Sequence, residues 1–298
     1  MGPALLDYGG DGGEARLIRA IREVTAERCY LVAEIGCNHQ GKIELAKELI
    51  DACAWAGVDC VKGQKRCLEP GVLFSREELD RPYLGPHSFA PTYGEHRAQL
   101  ELDWSEHQEL HDHAYSRSVD YTVSVWDPVS ASQLPTAFSW VKVPSACAEW
   151  ETLGRAVQAL ERPVVISTGA TLRPVRPLVP WLGYLQCTSL YPTPPDRVDL
   201  RAMQHLRPHC DCVGFSGHHE GIAIDMAAVA LGARVLERHV TLDRSMRGTD
   251  HRASLEPRDL RELVRGVHDV EAAFGNDRKR IHDGEMAIME KLRTKVMR

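Results

Sequence analysis

The sequence has no CxxC pair, no basic region followed by an apolar stretch near its start, no apolar run of membrane-spanning length and no block of lysine and arginine. Each absence removes a class of function. The nine cysteines follow no regular spacing, and an odd number without a leader fits a reducing, cytoplasmic setting. Cys29, Cys37, Cys53, Cys60 and Cys187 sit in apolar runs and are expected to be small core residues. Export is not expected, because no basic region followed by an apolar stretch opens the chain. Nor is a membrane span, which needs about 20 consecutive apolar residues. A formal net charge of −6 without a basic stripe argues against a nucleic-acid partner. A nucleotide loop is missing as well. Gly9 to Gly13 is glycine-rich, but no strand precedes it, so it reads as a flexible link. Gly36-Cys37-Asn38-His39, after the first strand-like run, lacks the glycines of a dinucleotide turn.

What is present is a repeating alternation. Strand-like apolar runs fall at Cys29–Gly36, Cys60–Arg66, Tyr121–Asp127, Trp140–Ala146, Pro163–Gly169, Gly183–Leu190, Cys212–Gly217 and Val235–Leu242. Helix-like stretches lie between them: Glu44–Ala56, Trp104–Arg117, Ser130–Phe138, Trp150–Glu161, Leu200–Leu206 and Gly221–Gly232. Arg173–Leu182 is the weakest of these, since Pro174, Pro177 and Pro180 interrupt it. A last helix is expected at Glu256–Phe274, capped by Ser254 and stopped at Gly275. Eight strands alternating with helices over about 250 residues predict an α/β fold, a single-domain (β/α)8 TIM barrel. Continuous apolar strands suit a parallel sheet covered by helices. The expected organisation is an N-terminal extension at 1–28 with a short helix at Ala15–Thr25, a barrel at 29–275, and a charged tail at 276–298 with one outer helix at Asp283–Leu292. A long loop at 67–103 is expected to cover the barrel mouth as a lid or to decorate the surface.

Active sites of such barrels gather at the C-terminal strand ends. Those ends carry Glu34, Asn38 and His39; Lys62 and Gln64; Ser124 and Asp127; Lys142 and Ser145; Ser167 and Thr168; Thr188, Ser189 and Tyr191; Ser216 and His218; Glu237 and His239. A lysine inside an apolar strand costs several kcal/mol unless it is partnered. Two of them, Lys62 and Lys142, with several hydroxyls on one rim make a site for a phosphorylated carboxylate; the plainer reading pairs each with a structural carboxylate. His218 and His239 can give two neutral imidazole nitrogens to a divalent cation in an open site, although a lone buried histidine is more often only hydrogen-bonded. His219 is expected to point elsewhere. His111 and His113 lie mid-helix on different faces and are set aside.

AEIGCNHQG, VKGQKR, KVPSA, ISTGA, QCTSLYPTP, VGFSGHHEG, ALGARVLERHVTLD and GTDHRASLEP together resemble the N-acetylneuraminate (sialic acid) synthase family, from about Leu31 to Gly275. The resemblance implies a metal-dependent transferase that condenses phosphoenolpyruvate with an aldose, giving a 2-keto-3-deoxy sugar acid and phosphate. It implies manganese, with magnesium or cobalt as alternatives, held by His218 and His239. Lys62, Ser124, Lys142, Ser145, Ser167, Ser189 and Ser216 would bind phosphoenolpyruvate, and Glu34, Tyr191 and Asp250 the sugar. Gln64 and Glu237 would lie near the attacking water, which makes Glu34, Gln64, Glu237, His218 and His239 the implied catalytic set. Only Asp250 was not already singled out at a strand end.

Two departures qualify the carry-over. The family usually adds a C-terminal antifreeze-like domain that lends an arginine to the partner subunit, and this sequence ends before one. The implied homodimer is therefore an open expectation. After Ser145 the family often has glycine and then an acid that binds the acylated sugar, where this chain has Ala146 and Cys147. N-acetylmannosamine is thus not the expected aldose, and Tyr83, His87, Tyr93, Glu95, His96 and Arg97 of the long loop are candidate replacements. Two other readings stay open: a Schiff-base aldolase on Lys62 or Lys142, and a non-catalytic barrel that binds a sugar or phosphate.

Overall fold

All eight expected strands form, and they close. The computed structural model describes residues 24–293. The link expected at Gly9 to Gly13 lies outside them, as does most of the helix expected at Ala15–Thr25; its last two residues are described and are helical, within a helical stretch at 24–27. The strands are β1 (Tyr30–Glu34), β2 (Cys60–Lys65), β3 (Asp120–Val125), β4 (Val141–Val143), β5 (Val164–Ser167), β6 (Leu182–Cys187), β7 (Cys212–Gly217) and β8 (Val235–His239). They pair in parallel in chain order, and β1 pairs with β8 to complete the barrel.

The continuous apolar character of the strands follows from their two buried faces. Outward-facing Leu31, Val61, Val123, Val141, Ile166, Val213 and Leu236 pack against the helix layer in one large core. Inward-facing Tyr30, Val32, Cys60, Trp140, Val165, Trp181, Leu185, Cys212 and Val235 form a second, inner cluster that plugs the barrel. Tyr30 and Trp140 meet edge to face there, with ring centres 6.3 Å apart. Their polar tips share one acceptor: the Tyr30 hydroxyl donates to Asp120 at 3.0 Å and the Trp140 indole at 3.2 Å. One step further along the strands the inward face turns polar. Register places Glu34 beside Lys62, Ser124 beside Lys142, and Ser216 beside Glu237.

The covering helices match the expected ones with four differences. No helix forms between β5 and β6, where the three prolines leave residues 172–179 without regular structure. Val175 instead donates its N–H to the Ala148 carbonyl at 2.7 Å and packs against Gly154. The helix after β3 contracts to Pro128–Ser132, and the one before β7 to Met203–Leu206 preceded by a 3-10 turn. The last helix, Pro257–Phe274, takes Glu256 rather than Ser254 as its N-cap. Ser254 is occupied elsewhere: its hydroxyl donates to the Asp250 carbonyl and accepts from Asn38.

The 67–103 segment is ordered. Two short helices, Arg76–Asp80 and Tyr93–Ala98, each begin with a reciprocal capping box, from Ser75 with Glu78 and from Thr92 with Glu95. Phe74, Tyr83, Phe89, Tyr93 and His96 stack between them. Cysteines behave as expected with one exception. Cys29, Cys53, Cys60 and Cys187 are buried, whereas Cys37 is only half-buried and borders the barrel mouth. No helix among the described residues is long and apolar enough to cross a membrane.

Candidate active site

A pocket of about 310 Å³ opens at the C-terminal end of the barrel. Every residue assigned by the resemblance to metal, phosphoenolpyruvate, sugar or water lines it, from Glu34 on β1 to His239 on β8 and Asp250 in the loop beyond. Strand alternation explains the gathering: Lys62 and Gln64, Ser216 and His218, and Glu237 and His239 are each two residues apart and share the inward face.

The floor of the pocket is a layer of compensated charge. Lys62, 2% exposed, donates to the Ser124 hydroxyl at 2.7 Å, contacts the Glu34 carboxylate and lies 3.6 Å from Glu237. Lys142 donates to the Ser167 hydroxyl at 2.7 Å and to the Val143 carbonyl at 3.1 Å, with Glu237 at 3.9 Å. Glu237 also accepts from the Ser216 hydroxyl at 2.9 Å. Burial lowers both ammonium groups, Lys62 to about 7, against the pull of the Glu237 carboxylate. Burial works to raise Glu237, but Lys142, Lys62 and the Ser216 hydroxyl outweigh it and hold the carboxyl at about 2. Glu237 is therefore ionised between two buried cations. Gln64 is held at both ends of its amide, donating to Glu34 at 2.9 Å and accepting from Arg66.

The two imidazoles stand side by side on the wall formed by β7 and β8, with ring centres 5.4 Å apart. Burial lowers both, His218 to about 3. The Nδ1 of His218 faces the Thr188 carbonyl at 3.2 Å, and since a carbonyl only accepts, that nitrogen carries the proton and Nε2 keeps its lone pair. His239 Nδ1 is buried without a hydrogen-bond partner, the Asp250 carboxylate lying 4.0 Å away. Two uncharged rings with an unused nitrogen each suit an open divalent-cation site. Among the described residues no group of three His, Cys, Asp or Glu side chains forms a closed one. Tyr191 covers this wall, its ring 4.1 Å from His218 and 6.0 Å from His239.

Some strand-end residues do other work. Asp127 caps the Pro128–Ser132 helix and accepts from the Cys67 N–H. Thr168 and Thr188 donate to the Leu185 and Arg197 carbonyls. Asn38 lines the pocket while its amide ties down Val240 and Ser254. His39 is buried away from it and accepts from the Gly41 N–H. His219 points outward toward Asp225, and His113 pairs with Asp51 on the surface. Of the proposed loop replacements, Tyr83, His87, His96 and Arg97 reach the pocket. Tyr93 stacks behind them and Glu95 serves only as a cap. Ala146 lines the pocket, but Cys147 turns its thiol to the Trp126 carbonyl. Arg66 and Trp126 were not anticipated; the guanidinium lies 4.0 Å over the indole and both face the pocket.

The NeuB family profile matches residues 49–279. The chain is 43% identical over 276 residues to N-acetylneuraminate-9-phosphate synthase of Mus musculus, covering 89% of this chain and 76% of that one. It is 33% identical to N,N'-diacetyllegionaminic acid synthase of Campylobacter jejuni, over 87% of this chain and 81% of the relative. Among solved structures, the spore coat polysaccharide biosynthesis protein spsE of Bacillus subtilis superposes with a TM-score of 0.68 at 27% identity, over 86% and 72% of the two chains. The sialic acid synthetase of Leptospira borgpetersenii shares the fold with a TM-score of 0.73 at 24% identity, over 89% and 91%.

Proposed function

The chain belongs to the NeuB family and is an enzyme, and from that premise we propose that it condenses phosphoenolpyruvate with an aldose to give a 2-keto-3-deoxy sugar acid and phosphate. The observation that carries this reading is the floor of the pocket: two buried lysines, each on a serine, flank an ionised glutamate beside two uncharged imidazoles.

Lys62 and Lys142 receive the phosphate and carboxylate of phosphoenolpyruvate as point charges, and Ser124, Ser145, Ser167, Ser189 and Ser216 add oriented hydroxyls. Glu34, Tyr191 and Asp250 place the aldose so that its carbonyl carbon faces C3 of phosphoenolpyruvate. His218 and His239 would hold a divalent cation, manganese in this reading, which when bound supplies Lewis-acid polarisation of the aldehyde oxygen. Bond formation between C3 and the carbonyl carbon uses the C2–C3 π electrons and leaves a cationic C2, which takes up water, and an alkoxide, which takes up a proton to become the new hydroxyl. Gln64 orients that water and Glu237 accepts its proton. The anion's own charge, bound to both lysines, offsets the field that keeps Glu237 a weak base. The C2 hydroxyl then gives up its proton to the departing phosphate as the C2–O bond to phosphate breaks and the keto group forms, and the lysines take up the phosphate charge.

The test is release of inorganic phosphate from phosphoenolpyruvate with Mn2+ and a panel of aldoses. Aldose-dependent release that His218→Ala abolishes is expected; none across a broad panel would sink the proposal. The Lys62 ammonium, brought by burial to about 7, favours a second reading as a Schiff-base aldolase. Borohydride trapping of a carbonyl substrate on Lys62 would support that reading, and chelator sensitivity would oppose it.

A further inference from the structure

His218 and His239 come from different strands, and the β7–β8 ladder ends before it reaches them, at the pair Gly217 with Arg238. We propose that Arg238 is a positioning residue that extends the link past the end of the ladder and fixes the spacing of the two histidines. This rests on the reading of His218 and His239 as a shared cation site.

Arg238 stands between Glu237 and His239, so alternation turns its side chain away from the pocket and into the helix layer. There it is 1% exposed. A guanidinium so deeply buried is strongly unfavourable without partners. Arg238 has several, and all lie on the segment that follows β7. One arm of the fork donates to the His219 carbonyl at 2.7 Å. The other donates to the Gly221 carbonyl at 2.9 Å and to the carboxylate of Asp225, which is itself fully buried on the helix Ala223–Ala230. His219 Nε2 lies 3.1 Å from the same arm and 3.2 Å from Asp225.

The His219 ring in this network is closely packed. It stacks on Phe215, and it sits so close to Gly217 that a Cβ there would approach it to 2.9 Å. His218, one residue earlier, is held from the other side by Thr188 through its ring and by the Thr193 N–H at 2.9 Å through its carbonyl. One guanidinium therefore ties the backbone that bears His218 to the strand that bears His239. A lysine would keep the charge and its attraction to Asp225, but its single nitrogen cannot reproduce a fork spanning two carbonyls and a carboxylate.

A buried ion pair that merely stabilises the barrel would give a different result in the following experiment. Mn2+ binding to the purified chain without substrate is measured by titration calorimetry for the wild type, R238K, D225N, H218A and D120N, with a melting temperature for each. Asp120 joins Tyr30 and Trp140 at the opposite end of the barrel, so D120N reports destabilisation without any change at the pair. R238K and D225N are expected to bind Mn2+ about 10–100-fold more weakly, the usual loss when the support of a metal ligand is removed. D120N is expected to melt earlier and to bind as the wild type does. Wild-type Mn2+ affinity in R238K and D225N, or an equal loss in D120N, overturns the positioning role and leaves the cation site standing. If the wild type shows no Mn2+ binding that H218A abolishes, the cation site itself falls and the positioning role falls with it. Should R238K not fold, D225N is judged by the same criterion.

Discussion

Replacing Lys142 by methionine separates what the pocket floor does for the fold from what it does for the ligand. Methionine keeps most of the side-chain volume and removes the charge. On the stability side, the wild-type ammonium gains contacts at 2.7 Å to Ser167 and 3.1 Å to Val143, with a carboxylate at 3.9 Å, against the cost of its burial. Removing one member of a buried ion group leaves its counter-charge uncompensated, at a cost of about 3–5 kcal/mol. At roughly 2–4 °C per kcal/mol in a chain of this size, the melting temperature should fall by about 10 °C. The binding side is a separate loss. The floor carries two lysines against Glu34 and Glu237, so losing one leaves it with a net negative charge facing a multiply charged anion. A hydrogen bond to a charged group contributes about 1.5–3 kcal/mol. At about 1.4 kcal/mol per factor of ten, that predicts a loss of about 10–150-fold in phosphoenolpyruvate affinity. Titration calorimetry with phosphoenolpyruvate alone, beside a thermal melt, reads both quantities. Unchanged affinity in K142M, whatever its melting temperature, would refute the reasoning, since Lys142 would then belong to the fold and not to the ligand.

Three other outcomes are expected. Gly169 donates its N–H to Ser145 at 3.1 Å, and a Cβ there would come within 2.3 Å of the Ser189 hydroxyl and 2.9 Å of that of Ser145. G169A should accordingly raise the KM for phosphoenolpyruvate about tenfold or more, and an unchanged KM would count against both serines as ligands. Arg97 lines the outer pocket and pairs with no carboxylate among the described residues, bonding instead to the Tyr93 hydroxyl at 3.0 Å. R97Q should raise the KM for the aldose and leave phosphoenolpyruvate binding intact; the reverse pattern in steady-state kinetics would move Arg97 to the other substrate. His107 is 1% exposed beside the Tyr121 hydroxyl, and burial lowers it to about 3. The unfolded chain takes up that proton near pH 6.5 and the folded one only near pH 3, so this stability is present above pH 6.5 and is lost as pH falls, by about 1.4 kcal/mol per unit. Urea denaturation at several pH values should show a shallower acid slope in H107Q, and an identical slope would exclude His107 as a source of acid lability.

The barrel was legible because strands buried on both faces read as unbroken apolar runs, and polar residues interrupt them only at one end. Strand alternation separates those ends further into residues that face the pocket and residues that do not. Ser124 and Trp126 share the inward face and Asp127 leaves it; Ser167 faces in and Thr168 out; Cys187, Ser189 and Tyr191 face in and Thr188 out. The same rule reaches Arg66, two residues beyond Gln64 and four beyond Lys62. Asp250 obeys no such period. It arrives through a loop held by Ser254 and Asn38, a contact more than two hundred residues apart in sequence. Helix limits were less legible. The prolines between β5 and β6 outweighed a weak apolar period, and the contact of Val175 with Gly154 and Ala148 that replaces the helix depends on a neighbour in space.

The inner cluster of Tyr30, Val32, Trp140, Trp181 and Val235 also sets the order of traffic. Among the described residues, a barrel stoppered at its base has its doorway at the other end, here beneath Tyr83, His87 and Arg97. In the proposed reaction the molecule bound to the floor must pass that doorway before the sugar settles over it, and the phosphate formed there is the last to leave. Ordered kinetics, with phosphoenolpyruvate first in and phosphate last out, would then arise from the architecture with no moving part to enforce it.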